Sequence, residues 1–217
     1  MSTSKRRIPS RIPSRINPIT KDLDRPKAIM VTHQRNEELL MPFFIMNHAP
    51  LFDKVIMIDF ESDDHTLKII DRFAPPSWEV IPSSTGSVFD ARLVDAQVMD
   101  VERQYPGDWL LALTTTEFLV APQLRKSLSI DFEKEKSYIT MISTFMIDGN
   151  NTKAPLSYSR PLPAQRQMGR VETLYDRHIH YNTTDKYHYA IGRHKYLGAG
   201  AEHKHLDAFI MKFGFAP

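Results

Sequence analysis

Three short polar segments follow apolar runs of the sequence, and they hold the residues best suited to chemistry. They are residues 33–37 (HQRNE), 59–64 (DFESDD) and 114–118 (TTTEF). Ligands of open α/β sheets bind beyond the carboxyl ends of the strands, so we expect these segments to meet at one crevice. The chain has no Cys, which leaves carboxylates, histidines and hydroxyls for any metal or phosphate there.

Alternating strands and helices must position these segments. Short apolar runs predict four buried strands, and apolar spacing predicts the helices between them. The predicted strands cover residues 28–32, 55–59, 78–81 and 109–113, and the predicted helices cover residues 37–48, 66–73 and 88–105. This order predicts a three-layer α/β fold with a mostly parallel central sheet.

The second half of the chain has a different texture. Residues 137–145 are rich in β-formers, and residues 152–169 carry three prolines, which is typical of a long loop. Two further strands are predicted at 174–181 and 186–197. Alternation along the first of these places His178 and His180 on one face, which we interpret as solvated.

Charge divides the chain into two parts. Residues 1–27 hold eight Lys and Arg and two Asp, a net charge of +6, so the rest stands at −4. We predict a flexible basic arm over residues 1–26 and one domain over residues 27–217. The arm suits weak contact with a membrane or polyanion through residues 5–27, while the acidic body disfavours a specific nucleic-acid groove. With no apolar run of membrane-spanning length and no signal-like N-terminus, we expect a cytoplasmic protein that the arm could bring to a membrane surface.

Several motifs in a fixed order narrow the function. No G-x-G-x-x-G or G-x-x-x-x-G-K-[ST] is present, which disfavours a Rossmann site and a P-loop. The chain instead carries THQRNEE at 32–38, DFESDDHT at 59–66, YPGDWLL at 105–111 and EFLV at 117–120. Over residues 28–122 this order resembles family 2-like and family 92-like glycosyltransferases, which have the GT-A fold.

The resemblance implies transfer of a sugar from a nucleotide-sugar donor to a hydroxyl of a carbohydrate or glycoconjugate acceptor. It implies that the donor is held by the three strand-end segments, the helix after the third strand and the late polar stretch. The candidate donor-binding residues are His33, Arg35, Asn36, Glu37, Asp59, Asp63, Arg92, Thr114, Thr116 and Lys195.

The sequence departs from the family at its metal-binding D-x-D motif, where it has Thr114-Thr115-Thr116. Three interpretations stay open. In the first, Glu117 with His203 or His205 holds a Mn²⁺ or Mg²⁺ ion. In the second, basic and hydroxyl donors neutralise the diphosphate without metal. In the third, the domain is an inactive scaffold that binds nucleotide or glycan. A departing nucleoside diphosphate gains negative charge, so an active site needs one of the first two.

An inverting transferase also needs a carboxylate base beside the acceptor hydroxyl. Asp148, before the turn at residues 149–151, is the first candidate, and Glu117 is the second. Asp before Gly is also common turn chemistry, so Asp148 has a structural interpretation beside the catalytic one.

Overall fold

A computed structural model describes residues 26–106, 108–130, 139–147, 155–182, 189–193 and 203–213. Eight strands and four α-helices occur in these ranges. The strands are β1 (Ala28–Gln34), β2 (Lys54–Asp59), β3 (Trp78–Pro82), β4 (Trp109–Thr114), β5 (Glu117–Val120), β6 (Ile139–Ile147), β7 (Gly169–Tyr181) and β8 (His203–Lys212). The helices are α1 (Met41–His48), α2 (Thr66–Phe73), α3 (Ala91–Glu102) and α4 (Leu124–Ile130). The predicted basic arm lies outside the described residues, apart from Pro26.

All eight strands form one sheet in the order β3-β2-β1-β4-β7-β6-β8-β5. The four strands at one side, β3, β2, β1 and β4, run parallel to one another. Beyond β4 the β4–β7, β7–β6 and β8–β5 pairs are antiparallel, while β6 and β8 are parallel. The predicted α/β fold with a mostly parallel central sheet is therefore confirmed, and its antiparallel pairs all involve β7 or β5.

Burial on both faces explains why β1, β2 and β4 are continuous apolar runs in the sequence. Met30 of β1 faces the core beneath α1 and α2, whereas Ile29 and Val31 face a second core beneath α3. All three side chains are at most 1% exposed. The sheet is thus the middle of three layers, and the carboxyl ends of β1, β2 and β4 lie together at one edge.

Two helices are shorter than the apolar spacing predicts. The predicted helix over 37–48 begins at Met41 because Pro42 has no N–H to donate and must lie in the first turn. The predicted helix over 88–105 begins after Asp90, whose carboxylate accepts from the backbone N–H groups of Arg92 and Leu93. Val88 and Phe89 are consequently exposed in the preceding loop.

One buried histidine, His48, joins α1 to β5. His48, at the end of α1, is 0% exposed, and its Nδ1 bonds the carbonyl of Phe44. Its Nε2 accepts from the backbone N–H of Leu119 in β5 at 3.1 Å. This arrangement requires a neutral ring with the proton on Nδ1, and burial lowers the pKa of His48 to about 3.

His178 and His180 correct the prediction of a solvated strand face. Both side chains are buried, at 6% and 2% exposure. His180 Nδ1 lies 3.1 Å from the Tyr189 hydroxyl, and burial lowers the pKa of His180 to about 3. The two histidines share one face of the strand as predicted, but this face is buried, with Tyr189 against His180.

No helix in the described ranges is long and apolar enough to cross a membrane.

Candidate functional site

A crevice of about 320 Å³ opens at the carboxyl ends of β1, β2 and β4. Its walls come from these strand ends, the loop before α3 and the end of β8. The lining residues are His33, Gln34, Arg35, Glu37, Phe60, Ser87, Phe89, Thr114, Thr115, Thr116 and Lys212. The predicted convergence of the strand-end segments occurs, and the crevice brings together five of the candidate donor residues: His33, Arg35, Glu37, Thr114 and Thr116.

Three rings form an aromatic wall of the crevice. His33, Phe60 and Phe89 lie with ring centroids 5.9 to 6.1 Å apart. Phe60 is buried, whereas Phe89 is 64% exposed and carried by the loop before α3. Arg35 fixes this loop by donating to the carbonyl of Ser87 at 2.9 Å. An exposed ring beside a polar crevice offers a surface on which a planar group can stack.

Asp59 lies at the base of the β1–β2 side. Its carboxylate accepts from the Ser62 hydroxyl at 2.6 Å, the Ser62 backbone N–H at 3.1 Å and the Gln34 amide at 3.4 Å. Only 8% of Asp59 is exposed. These bonds hold the loop after β2 against β1, and the predicted donor contact of Asp59 stays a prediction.

Asn36 and Asp63 latch the loops after β1 and β2 to each other. The Asn36 amide donates to the Asp63 carboxylate at 2.7 Å, and the Asp63 backbone N–H donates back to the Asn36 side chain at 2.9 Å. Asn36 adopts a left-handed backbone with φ of 55°, which Asn tolerates well. Both side chains are exposed and bonded to each other, so this geometry supports a positioning role for the pair.

Glu37 faces the crevice from the same segment. Its Oε1 accepts from the Thr115 hydroxyl at 2.8 Å, and its backbone N–H donates to the Thr66 hydroxyl at 2.7 Å. Burial, opposed in part by the bond from Thr115, raises the pKa of the Glu37 carboxyl. Glu37 thereby ties the end of β1 to the turn between β4 and β5.

That turn holds the three threonines that replace the D-x-D motif. The hydroxyls of Thr114 and Thr116 lie 3.0 Å apart at the crevice. The backbone N–H of Thr114 donates to Glu117 Oε2 at 2.9 Å, so Glu117 turns back to close the bend. Two neutral hydroxyls therefore occupy the positions at which the family resemblance expects two carboxylates.

Glu117 is engaged away from solvent. It is 0% exposed and forms a bidentate pair with Arg177 of β7, at 2.7 Å from Nη2 to Oε1 and 3.0 Å from Nε to Oε2. Lys212 Nζ lies 3.5 Å from Oε1. Although burial opposes it, the charges of Arg177 and Lys212 lower the pKa of Glu117 to about 2. Such a carboxylate is a poor proton acceptor near neutral pH, so its geometry favours a structural role over the predicted roles of base and metal ligand.

The predicted metal set of Glu117, His203 and His205 is not brought together by the backbone. Lys212, not either histidine, is the residue of β8 that pairs with Glu117. His205 pairs with Met141 of β6, whereas Lys212 pairs with Met146. Met141 and Met146 are five residues apart along β6, which is roughly 17 Å at about 3.3 Å per residue. The side chains of His203 and His205 are not among those described.

The described residues at the crevice do not fit a divalent cation. Mn²⁺ and Mg²⁺ take hard oxygen ligands, with carboxylates prominent among them. Here the turn offers neutral hydroxyls, and Glu117 has both oxygens bonded to Arg177. Over the described ranges, no group of three His, Asp or Glu side chains is placed to hold a metal ion.

A second buried ion pair lies behind the aromatic wall, and sequence reasoning missed it. Arg193 is 3% exposed and pairs with Asp95 of α3, which also accepts from the Gly192 backbone N–H at 2.8 Å. Arg193 Nη2 approaches His33 Nδ1 at 3.4 Å. Burial and the Arg193 charge lower the pKa of His33 to about 3, so the crevice presents a neutral imidazole. The Gly192 turn, with φ of 81°, is the one local signal for this pair.

The remaining candidates lie elsewhere. Arg92 is exposed on the first turn of α3, outside the crevice lining. Lys195 and Asp148 lie outside the described residues. Lys212 lines the crevice although its position near the chain end gave no sequence signal.

A second cavity, of about 690 Å³, shares no lining residue with the crevice. Its walls come from the end of α1, β5, the proline-rich segment around residues 161–164 and β8. Its lining is mainly apolar and includes Leu119, Val120, Phe209 and Met211, with no titratable side chain. Convergent polar and titratable groups mark a chemical site more strongly than size does, so the crevice is the better candidate.

No protein-family model matches this chain, and no curated protein matches it. Among solved structures, it is similar to glucosyl-3-phosphoglycerate synthase from Mycobacterium tuberculosis, solved with Mn²⁺, uridine diphosphate and glucosyl-3-phosphoglycerate. The match has 17% identity and a TM-score of 0.38 and covers 58% of this chain. This chain spans 46% of that protein, less than half of its length.

Proposed function

We propose that this chain is a GT-A-like glycosyltransferase domain that binds a nucleotide-sugar donor in the crevice. The observation that carries the proposal is the convergence of His33, Arg35 and the Thr114–Thr116 turn at one edge of the sheet. These are segments on which the resemblance to glycosyltransferases rests, and a parallel sheet binds ligands at this edge.

The two sides of the crevice suit the two parts of such a donor. The aromatic wall of His33, Phe60 and Phe89 offers a stacking surface for a nucleobase, and Asp59 beneath it offers an acceptor for base or ribose donors. The Thr114–Thr116 turn, with Arg35 and Lys212, offers hydroxyl and cationic donors for the diphosphate.

In the proposed reaction, an acceptor hydroxyl oxygen attacks the anomeric carbon of the sugar, and the bond from that carbon to the diphosphate oxygen breaks. The acceptor proton passes to a base, and the nucleoside diphosphate leaves with added negative charge. Arg35, Lys212 and the hydroxyls of the threonine turn stabilise that charge. Glu117, with its lowered pKa and its bond to Arg177, is not the base we favour, and Asp148 stays the candidate from sequence.

The direct test incubates the full chain with a panel of UDP-, GDP-, CDP- and ADP-sugars, with and without Mn²⁺. Chromatography then follows free sugar and nucleoside diphosphate, and calorimetry measures the binding of each nucleoside diphosphate. We expect one nucleotide class to bind and its sugar to be released. Failure of every nucleoside diphosphate to bind under both conditions would contradict the proposal, and release of pyrophosphate would identify a nucleotidyltransferase instead.

An inactive nucleotide- or glycan-binding scaffold is the second candidate, and one observation favours it. Two carboxylates beside the threonine turn are both bonded, Glu37 to Thr115 and Glu117 to Arg177. A scaffold would bind a nucleoside diphosphate or a glycan yet release no sugar from any donor in the same panel.

A further inference from the structure

We propose that His33 is an uncharged hydrogen-bond donor to the diphosphate of the bound nucleotide, and that the buried Arg193 behind it holds its ring proton on Nε2. The inference rests on the proposed donor site and deepens it, because it names an atom that meets the phosphates. Arg193 is then a positioning residue, since it acts on the ligand through His33.

The contact with Arg193 decides which nitrogen of His33 carries the proton. Arg193 Nη2 lies 3.4 Å from His33 Nδ1. A guanidinium has N–H donors and no acceptor, whereas a neutral imidazole has one donor nitrogen and one acceptor nitrogen. His33 Nδ1 must therefore accept this hydrogen bond, which leaves the ring proton on Nε2.

Arg193 is itself held in place by α3. Its side chain is 3% exposed and pairs with Asp95, which also accepts from the Gly192 backbone N–H at 2.8 Å. The backbone of Arg193 is left-handed, with φ of 61°, a conformation that is uncommon for a residue with a long side chain. The fold thus maintains a costly local conformation that brings this guanidinium behind His33.

The surroundings of His33 keep its ring uncharged. Burial and, next, the charge of Arg193 lower the pKa of His33 to about 3, and Arg177 acts in the same direction. The carboxylate of Glu117 opposes this effect without reversing it, and Lys212 is a further cation at the crevice. At neutral pH the crevice therefore meets a donor N–H with no charge.

Strand register places this N–H beside the threonine turn. His33 of β1 pairs with Thr114 of β4, so the two side chains lie on the same face of the sheet. Both residues line the crevice, whereas Arg193 does not. The two ring nitrogens lie on different edges of the imidazole, so with Nδ1 toward the buried Arg193 we place Nε2 on the crevice side. No described residue bonds Nε2.

His33 therefore stands where the aromatic wall meets the threonine turn. Its ring contacts Phe60 and Phe89, while its Nε2 edge adds a third neutral donor to the hydroxyls of Thr114 and Thr116, which lie 3.0 Å apart. Phosphate oxygens accept strongly from such donors. The ring and the N–H of His33 thus have separate roles, and substitutions can separate them.

The main test measures binding of nucleosides and nucleoside diphosphates to the full chain by calorimetry. His33→Phe keeps an aromatic ring and removes the N–H. It should weaken the diphosphate by about 10- to 100-fold and change the nucleoside by less than about twofold. His33→Gln keeps an N–H donor of similar reach and removes the ring, so it should weaken both ligands by the same factor, about three- to tenfold. His65→Phe, at an exposed position before α2, is the matched control and should change neither.

NMR of the ¹⁵N-histidine-labelled full chain tests the tautomer without any variant that must fold. The resonances missing from His33→Phe identify His33. We expect a proton on Nε2 and none on Nδ1 from pH 8 to about pH 5, and an Nε2–H signal that moves with the diphosphate but not with the nucleoside. Asp95→Asn with Arg193→Gln removes both buried charges together and should allow the proton onto either nitrogen, which a merely structural role of Arg193 would not predict.

The outcomes distinguish this inference from the proposed function. A proton on Nδ1, or a doubly protonated ring above about pH 5, would overturn the inference and leave the donor site standing. Equal diphosphate binding by the parent and folded His33→Phe would do the same, as would an equal loss of nucleoside and diphosphate in that variant. No binding by any nucleoside diphosphate would overturn the proposed function, and the inference with it.

Discussion

Two sets of charged residues next to the crevice lining, which we call its acidic side and its basic side, are built in different ways. The acidic side, formed by Asp59, Asp63 and Asp64 after β2, bonds to residues of the neighbouring loop after β1. The basic side, formed by Arg177 and Lys212 around Glu117, is assembled from β5, β7 and β8. The acidic side therefore depends on two adjacent parallel strands, while the basic side depends on the order of the whole sheet. We expect the first to bind the nucleoside and the second to bind the phosphates.

The largest expected effect comes from breaking the buried pair of the basic side. Arg177→Met removes the bidentate partner of the buried Glu117 carboxylate and leaves the more distant Lys212 beside it. We expect this change to lower the free energy of unfolding by about 3–5 kcal/mol. Urea unfolding measures the loss.

The double variant Arg177→Met with Glu117→Gln is the control for this prediction. Removing both charges should restore at least half of the lost stability, because the cost of a broken buried pair lies mainly in the charge left behind. A loss below about 1 kcal/mol in the single variant would show that the pair is not structural.

His48, which joins α1 to β5, makes the stability of the fold depend on pH. The unfolded chain binds a proton at His48 near pH 6.5, whereas the folded chain does so only near pH 3. Lowering the pH below 6.5 therefore favours the unfolded state, and this histidine contributes a loss of up to about 1.4 kcal/mol per pH unit. Between pH 6.5 and 5 the contribution should reach about 2 kcal/mol.

Urea unfolding of His48→Gln over the same range isolates this contribution. The variant is less stable at every pH, since it loses the ring bonds to Phe44 and Leu119, but its stability should fall less steeply with acid than that of the parent. Equal slopes would mean that His48 does not bind the proton on unfolding. The lowered pKa of Glu117 affects the comparison only below about pH 4.5.

A substitution on the acidic side should affect binding less strongly and tests which part of the ligand each side binds. Asp59→Asn weakens the bonds with Ser62 and should reduce binding of the nucleoside and of the nucleoside diphosphate by a similar factor, about tenfold. Lys212→Gln should reduce only the latter. Calorimetry with the nucleoside and the nucleoside diphosphate on both variants tests whether the two sides bind different parts of the ligand. If Asp59→Asn weakened only the nucleoside diphosphate, this assignment would be wrong.

The smallest expected effect concerns the loop that carries Phe89. Asp90→Ala removes the N-cap of α3 and should cost about 1 kcal/mol of stability. Asp100→Ala, at an exposed position of the same helix that pairs with Arg103, should cost less than about 0.5 kcal/mol. Thermal unfolding compares the two, and equal losses would show that the cap is not the cause.

Much of the first half of this fold could be predicted from the sequence. The strands at 28–34, 54–59 and 109–114 are buried on both faces, so their apolar runs are continuous and easy to recognise. The strand at 78–82 was also predicted, although most of its residues are exposed. The predicted starts of α1 and α3 were less accurate, because Pro42 and Asp90 fix where these helices begin and the apolar spacing extends further. β5, α4 and β8 were missed, since short or half-polar segments carry weak periodic signals.

The site divides in the same way. The polar segments after β1, β2 and β4 were found because a strand end is visible in the sequence. The partners of Glu117 were not, since Arg177 and Lys212 lie 60 and 95 residues further along the chain. No spacing rule links positions that meet only when strands pair.

The sequence by itself thus determined a mixed α/β fold with a parallel half, the edge at which a ligand would bind, and the loss of two expected aspartates. Only the tertiary structure decided that Glu117 is locked by Arg177, that His178 and His180 are buried, and that Lys212 faces the threonine turn. The physical reason is that periodicity and strand ends are local properties of the chain. Burial and charge pairing instead depend on which strands become neighbours in the sheet.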